Sequence, residues 1–301
     1  MDLGRLRTLR EIAIRGSMAA AADALHLTPS AVSQQVAQLE DEFGLPLTER
    51  MGRGVRLSRA GEVLVSYTGR VLGVLDEAIS ELATMKEQVT GELRIAAFPS
   101  IAAAILPHTV QTLSRSYPHL TVVLEEMEPA EGLAALGSWQ ADVAIIDDLS
   151  LMLGGKRHGL ERVPLAEDVL VALLPHDHPL ADRPSLQIAD LRNELWAAES
   201  TSSIYGEFVV ALCRRAGFEP KLNAKCRSFE MVNAMVASGC AVSVVPGLRM
   251  TRDMLRVKAV KVRPEVRRKI SIAYRKEARN HPAVRVLVEQ LVLSAAENVP
   301  A

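Results

Sequence analysis

Between Thr28 and Gln38 the chain sets short hydroxyls and carboxamides at helical spacing, and from Arg50 to Arg59 it sets a cation at every third residue. The first group, Ser30, Ser33, Gln34 and Gln38, suits the edges of bases in a major groove. There a glutamine amide pairs bidentately with adenine, and a serine hydroxyl both donates and accepts. The second group, Arg50, Arg53, Arg56 and Arg59, has Gly52 and Gly54 to make a turn and no acid between Met51 and Gly61. Cations on such a ribbon neutralise phosphates without reading sequence. Taken alone, the polar helix face reads equally as the solvated side of an ordinary helical hairpin, and the arginine ribbon behind it favours nucleic acid.

The elements needed to position these groups are legible nearby. Ser17 is an N-cap for a helix ending near Leu25, and Ala19 to Ala22 give that helix a small-sided surface that lets a neighbour approach closely. After a turn at His26-Leu27, Thr28 caps a second helix with Pro29 at its first position. Proline loses no hydrogen bond there, and its fixed φ suits the helix. Val32, Val36, Leu39 and Phe43 recur at i, i+4, i+7 and i+11, one buried stripe that turns Ser30, Ser33, Gln34, Ala37, Gln38 and Asp41 to other faces. Two helices, a tight turn and a basic β-ribbon make a winged helix-turn-helix.

From Ser58 to Val89 the pattern is one long proline-free helix, with Leu64, Thr68, Val71, Leu75, Ala78, Leu82, Met85 and Val89 alternating steps of four and three. This is the heptad signature of a helix packed on a partner helix. At the rise of an α-helix the segment is about 45–50 Å long, more than a small winged domain can cover. The same helix of a second chain is the expected partner, giving a homodimer matched to two-fold DNA half-sites; lying along its own C-terminal domain is the alternative. Thr90-Gly91 ends the helix as a short hinge.

The wording of these segments resembles the LysR-type transcriptional regulators. The resemblance rests on the alanine-rich helix, Leu25 to Gln35, Leu39-Glu40, Gly44 to Arg50 and Arg53 to Gly61, and on the order of parts from residue 1 to about residue 295. Met18, where an aromatic is frequent, and Thr48, where Phe is usual, depart from the family pattern. The resemblance implies an α/β chain with a winged helix-turn-helix over residues 1–58, a linker and dimerisation helix over 59–90, and an effector-binding domain over 91–301. That last domain would be two-lobed, akin to periplasmic solute-binding proteins, with lobe I at about 91–162 and 262–301 and lobe II at about 163–261. It further implies a sequence-specific regulator of transcription controlled by a small molecule bound between the lobes, a dimer or tetramer that also meets RNA polymerase. Ser17, Thr28, Pro29, Ser30, Ser33, Gln34, Gln38, Arg50, Arg53 and Arg56 are the expected DNA-binding residues.

After Gly91, strand and helix patterns alternate, as in Leu93 to Ala97, Ser100 to Tyr117, Thr121 to Leu124, Pro129 to Gly137 and Ala141 to Ile146. Alternation of this kind predicts a parallel, helix-covered sheet. Ligands of open α/β folds settle at the carboxyl ends of strands, where helix N-termini present unpaired N–H groups. Two such places occur, Phe98 to Ile101 and Glu199 to Ser203. Ser100, Ile101, Thr201, Ser202 and Ser203 would there line a cleft for a carboxylate or other anionic group. For Ser100 or Ser202 taken singly, plain helix capping is the commoner reading. Glu126 and Glu128 read either as a solvated loop or as facing a cationic group on the effector, and the Pro246 turn is a secondary candidate.

Composition fits this picture. With 301 residues and 49% hydrophobic content the chain can fill two or three cores, and a net charge of −1 leaves positive charge only local. There is no apolar run of about 18 residues, so neither secretion nor membrane spanning is indicated and a cytoplasmic protein is expected. Cys213, Cys226 and Cys240 have no CxxC spacing and suit reduced thiols. A peroxide-sensing disulfide, known in one branch of the resembled family, would need two of them to meet. His176-Asp177-His178-Pro179 reads as a turn, Gly154-Gly155-Lys156 is too short for a phosphate loop, and Ser200 to Ser203 has no nucleophile elbow. Neither an enzyme nor a bound cofactor is expected. A solute-binding or transferase-like α/β protein is the competing class, and the arginine ribbon has no purpose in it.

Overall fold

The structure is a computed structural model that describes residues 2–299 apart from 26, 52–53, 85–88, 152–158, 200–203, 251–253 and 255. Its N-terminal unit packs α1 (Leu3–Arg15), α2 (Met18–Leu25) and α3 (Pro29–Phe43) beside a hairpin of β1 (Thr48–Met51) and β2 (Gly54–Leu57). Each helix start has a side-chain cap. Asp2 accepts from the Gly4 N–H at 3.0 Å, Ser17 from Ala20 at 3.1 Å and Thr28 from Ala31 at 3.2 Å. Sequence reasoning omitted α1, whose Leu6, Leu9 and Ile12 close the core formed by Ala21, Ala22, Val32, Val36 and Leu39. The expected stripe ends at Leu39. Phe43 is 41% exposed, because its turn runs past the packed part of α3 before Gly44, with φ of 67°, stops the helix. At Thr48 the wing is tied to α3: Glu40 Oε1 accepts from Leu47 N at 2.7 Å and from the Thr48 N–H at 3.1 Å.

Next comes α4 (Arg59–Thr84), about 39 Å long at the rise of an α-helix. It turns Val65, Thr68 and Leu72 inward, the Thr68 hydroxyl donating to Leu64 O at 2.8 Å. Thr68 therefore leaves the outward heptad. Val71, Leu75, Ala78 and Leu82 stay exposed along it, with Tyr67 and Val74 beside them. Met85 lies outside the described residues, and Val89 packs on the core of the domain that follows.

In that domain, β3 (Gly91–Ala97), α5 (Pro99–Ser116), β4 (Leu120–Glu126), α6 (Pro129–Gly137), β5 (Val143–Asp147) and α7 (Asp148–Leu151) precede a 16-residue strand, β6 (Leu160–Pro175). Then follow β7 (Ser185–Leu186), β8 (Leu195–Glu199), α8 (Ile204–Arg215), β9 (Lys221–Cys226), α9 (Phe229–Ala237), β10 (Ser243–Pro246), β11 (Val257–Val262), β12 (Arg267–Arg275) and α10 (Pro282–Asn298). The main sheet runs β4-β3-β5-β12-β6-β11-β7, with β10 also on β6. The expected parallel sheet holds for β3 with β4 and β5. The returning β12 is antiparallel to both β5 and β6, and β10 and β11 are antiparallel to β6. One continuous strand serves both lobes: β6 pairs with β12 as far as Val169, then with β10 and β11 from Leu170 onward. Lobe I is filled by Ile95, Ile105, Ile145, Ile272 and Leu287, and lobe II by Leu170, Trp196, Val209 and Val244.

The long helix and lobe I meet at Trp139. A Cβ at Gly69 would lie 2.1 Å from the Trp139 Cβ, and one at Gly73 would lie 1.8 Å from Cζ3 of its ring, so only glycine admits the indole at either position. Trp139 has φ of 61° and gives its carbonyl to Arg10 Nη2 at 2.6 Å. The Arg275 guanidinium stacks 3.9 Å from its ring centroid. Among the described residues no helix is long and apolar enough to cross a membrane.

Candidate functional site

Burial of Val32, Val36 and Leu39 fixes the roll of α3 and leaves Thr28, Pro29, Ser30, Ser33, Gln34, Ala37 and Gln38 exposed on one side of the N-terminal unit. Gln35, next in sequence, is turned away, and its Oε1 accepts from the Thr8 hydroxyl. Ser17 is half-buried and its Oγ is taken by the α2 cap, so it belongs to the scaffold of this face. On the wing, Arg56 Nη2 reaches Glu49 Oε2 at 2.7 Å, and Arg59 Nη1 reaches Glu62 Oε2 at 3.1 Å. Sequence reasoning missed the first pairing because Glu49 lies seven residues away along the chain yet directly opposite Arg56 in the hairpin register. Arg56 is exposed, so a phosphate can compete with Glu49 for it. Arg53 and the side chain of Arg50 lie outside the described residues.

A second site opens between the lobes. A narrow cavity of about 30 Å³ is lined by Phe98, Ser100, Glu128, Asp147, Glu199, Tyr205, Pro246, Arg249 and Arg268 among others. Ser100, Glu128 and Pro246, three of the residues considered for the effector, all line it. Ile101 is fully buried in the lobe I core and does not reach the cavity, because the turn of α5 that carries it faces the sheet. Thr201, Ser202 and Ser203 lie outside the described residues.

Arg268 was not foreseen. It is 3% exposed, enters from β12, donates to Ser100 Oγ, and meets Asp168 at 2.7 Å and Asp147 at 3.6 Å. Its guanidinium stands 4.9 Å from the Phe98 ring centroid. Ser100 is therefore a buried, bonded group and not the surface hydroxyl that its place after a strand suggested. Asp168 also accepts from Leu248 N at 3.0 Å, and a Cβ at Gly247 would lie 2.6 Å from Val169 O, so the turn after Pro246 sits hard against β6.

Burial, then repulsion by Glu199, Asp147 and Glu131, pushes the Glu128 carboxyl up to about 6 against the weaker pull of Arg268. Glu199 is also raised, by burial first, with Arg249 and Arg268 opposing. A carboxyl raised on folding binds more protons in the native than in the unfolded state, so stability should rise as pH falls through about 6 and level off below the ordinary glutamate value of 4.5. Glu128→Gln should thus raise stability at neutral pH by about 1 kcal/mol after allowance for solvent screening. It should also flatten the pH dependence, as urea midpoints at neutral pH and near the ordinary glutamate value would record. An unchanged neutral-pH midpoint would contradict the desolvated carboxylate.

These two sites sit in domains that known families describe. Residues 3–62 match the model for the bacterial regulatory helix-turn-helix protein of the lysR family, and residues 86–295 match that for the LysR substrate binding domain. The chain belongs to the LysR family. This LysR-type regulator is 29% identical to the DNA-binding transcriptional dual regulator OxyR of Escherichia coli strain K12 over 279 residues, covering 91% of this chain and 90% of that one. It is 25% identical to the transcriptional dual regulator GltC of Bacillus subtilis over 274 residues, 90% of each. Its fold is that of a point variant of full-length OxyR from Pseudomonas aeruginosa, with a TM-score of 0.76 at 24% identity over 99% of this chain and 96% of that one. It is likewise that of CbnR in complex with its target DNA, with a TM-score of 0.63 at 24% identity over 98% of this chain and 100% of that one. The chain is a DNA-binding transcriptional regulator with an effector-binding domain, not an enzyme.

The remaining groups of this LysR-type regulator carry structural duties. Cys213 and Cys226 are buried free thiols. Burial pushes Cys213 up to about 12 and raises Cys226 as well, the opposite of the lowered thiol a peroxide-reactive cysteine needs. His178 Nδ1 accepts from Leu180 N at 3.1 Å within the turn read from the sequence.

Proposed function

We propose that this regulator reads operator DNA through Ser33 and Gln34, with Ser30 and Gln38 beside them on the exposed face of α3, while Arg50, Arg53 and Arg56 of the wing hold phosphates. The reading includes a homodimer joined through α4 and assembling further to a tetramer, action in the cytoplasm, and contact with RNA polymerase. In it, a small-molecule effector bound between the lobes controls DNA binding. The carrying observation is the roll of α3: a fully buried stripe at Val32, Val36 and Leu39 leaves serines and glutamines, and no charge, on the outward side of its first turns. Uncharged hydrogen-bonding groups on a helix backed by an arginine ribbon divide the labour of base reading and backbone anchoring.

Gln34→Ala should cost about 1–3 kcal/mol on the operator and little on random DNA, as the loss of one bidentate base contact does. Arg56→Ala should weaken binding to both DNAs and reduce the slope of log affinity against log salt by about one, or by less where Glu49 already neutralises it. Fluorescence-anisotropy titrations over a salt series, on a fragment from the regulator's own promoter and on a shuffled sequence, measure these losses and the slope. Equal losses for Gln34→Ala on both DNAs would remove it from base reading.

A further inference from the structure

We propose that Trp139 is the positioning residue that locks lobe I onto the DNA-binding unit, and that operator affinity depends on its docking against α4. The inference deepens the reading of the chain as a regulator whose effector-binding domain controls its hold on DNA, and rests on it.

Three parts of the chain converge on this one side chain. From α4, Gly69 and Gly73 leave the groove that takes the indole. From α1, Arg10 Nη2 donates to the Trp139 carbonyl at 2.6 Å, and Glu11 stands 3.8 Å from Arg94 of lobe I. From β12, the Arg275 guanidinium lies against the ring and also donates to Leu136 O at 2.9 Å, Ala141 O at 2.6 Å and Asp142 at 2.9 Å, groups on both sides of Trp139 in the chain. The turn that carries the indole is therefore clamped to one end of β12, while Arg268, near the other end, stands in the cleft between the lobes.

The contact has the marks of one that can be made and broken. Trp139 keeps a left-handed φ of 61° without being glycine, a conformation that persists only where its surroundings impose it. Around the indole the junction is hollow: a cavity of about 380 Å³ there is lined by Arg7, Arg10, Glu11, Arg94, Asp142 and Arg275 among others. Relative motion of two domains is the expectation unless their interface is large and hydrophobic, and these walls are charged. The contact also leaves the reading side open. Gln35 is turned to Thr8 of α1, while Ser33, Gln34 and Gln38 remain exposed with lobe I in place. Docking thus fixes the pose of the reading helix without covering it, and release restores freedom that a specific complex must remove.

Gly69→Ala with Gly73→Ala tests this in the full-length protein. Alanine is the better helix former, so α4 should keep its helix while the two methyls expel the indole. The chain has two tryptophans, and Trp196 is fully buried in lobe II. A red shift of emission and stronger acrylamide quenching therefore report Trp139, with Trp139→Phe supplying the Trp196 baseline. Affinity for the promoter fragment should fall by about 5–150-fold, the range of coupling between distinct sites, with little change on the shuffled sequence. Trp139→Ala should cause a loss of similar size, and adding it to the glycine pair should cause no further one, since all three act through one contact. Unchanged emission and quenching in the glycine variant would overturn the docked indole. Release of the indole with operator affinity unchanged would overturn its positioning role, and so would equal losses on the two DNAs or losses that add. Trp139→Ala alone carries the affinity test should the glycine variant lose its circular dichroism. Gln34→Ala on the same DNAs judges the reading of α3 separately, since it should leave the emission of Trp139 unchanged.

Discussion

Glutamate at both Leu75 and Leu82 should turn the regulator into monomers and weaken its hold on a two-half-site operator by about 10²–10⁴-fold, the avidity that a second linked site supplies. The basis is a strip of α4 that the chain leaves bare. Val71, Leu75 and Leu82 are 45%, 42% and 61% exposed, and Tyr67 and Val74 widen the strip to 59% and 61% exposure beside them. An apolar helix face of this length is costly in water, and a copy of the same helix has the matching heptad to cover it. Two carboxylates in that seam would be desolvated side by side, which the burial of the remaining side chains cannot offset. The substitutions leave the inward residues Val65, Thr68 and Leu72 untouched, so each protomer should keep its fold. Light scattering with circular dichroism separates the two effects. A folded double variant that remains dimeric at micromolar concentration would place the dimer contact elsewhere.

Arg268→Met should destabilise the effector-binding domain by about 3–5 kcal/mol, the loss seen when one member of a buried ion pair is removed. Asp168 and Asp147 have side chains only 2% and 7% exposed, and without the guanidinium both would lose the cation that neutralises them in the interior. A loss of this size is a large part of the 5–15 kcal/mol that typically holds a domain together, about a third to a half at the middle of that range. Adding Asp147→Asn and Asp168→Asn to Arg268→Met should return most of the lost stability, since the cost lies in buried carboxylates that have lost their cation. The amide oxygen that replaces the Asp168 carboxylate could still accept from Leu248 N. Guanidinium unfolding of the single and triple variants decides the matter. A single variant within about 1 kcal/mol of wild type would mean that water reaches these carboxylates, since exposed pairs contribute no more than that.

The local elements were largely legible in the chain. Thr28 with Pro29 starts α3, Ser17 starts α2, and Pro129 to Gly137 is a helix at the residues read from the sequence, because caps, a proline at the first position and a stripe of apolar residues act within a few residues of one another. The same locality made the outward face of α3 readable, since three buried residues on a rigid helix fix where all the others point. Groups that meet across the fold were not readable. Glu49 reaches Arg56 only because a hairpin register sets them opposite, and the Gly69 and Gly73 face is shaped to Trp139, a residue of another domain. Ser100 looked like an open helix start because nothing in its neighbourhood announces Arg268, which comes 168 residues later on a strand that returns to the first lobe. Local hydrogen bonds and side-chain periodicity are written in consecutive residues and so were determined by the sequence by itself. Which charge neutralises which depends on the path of the chain between them, and that only the tertiary structure decided.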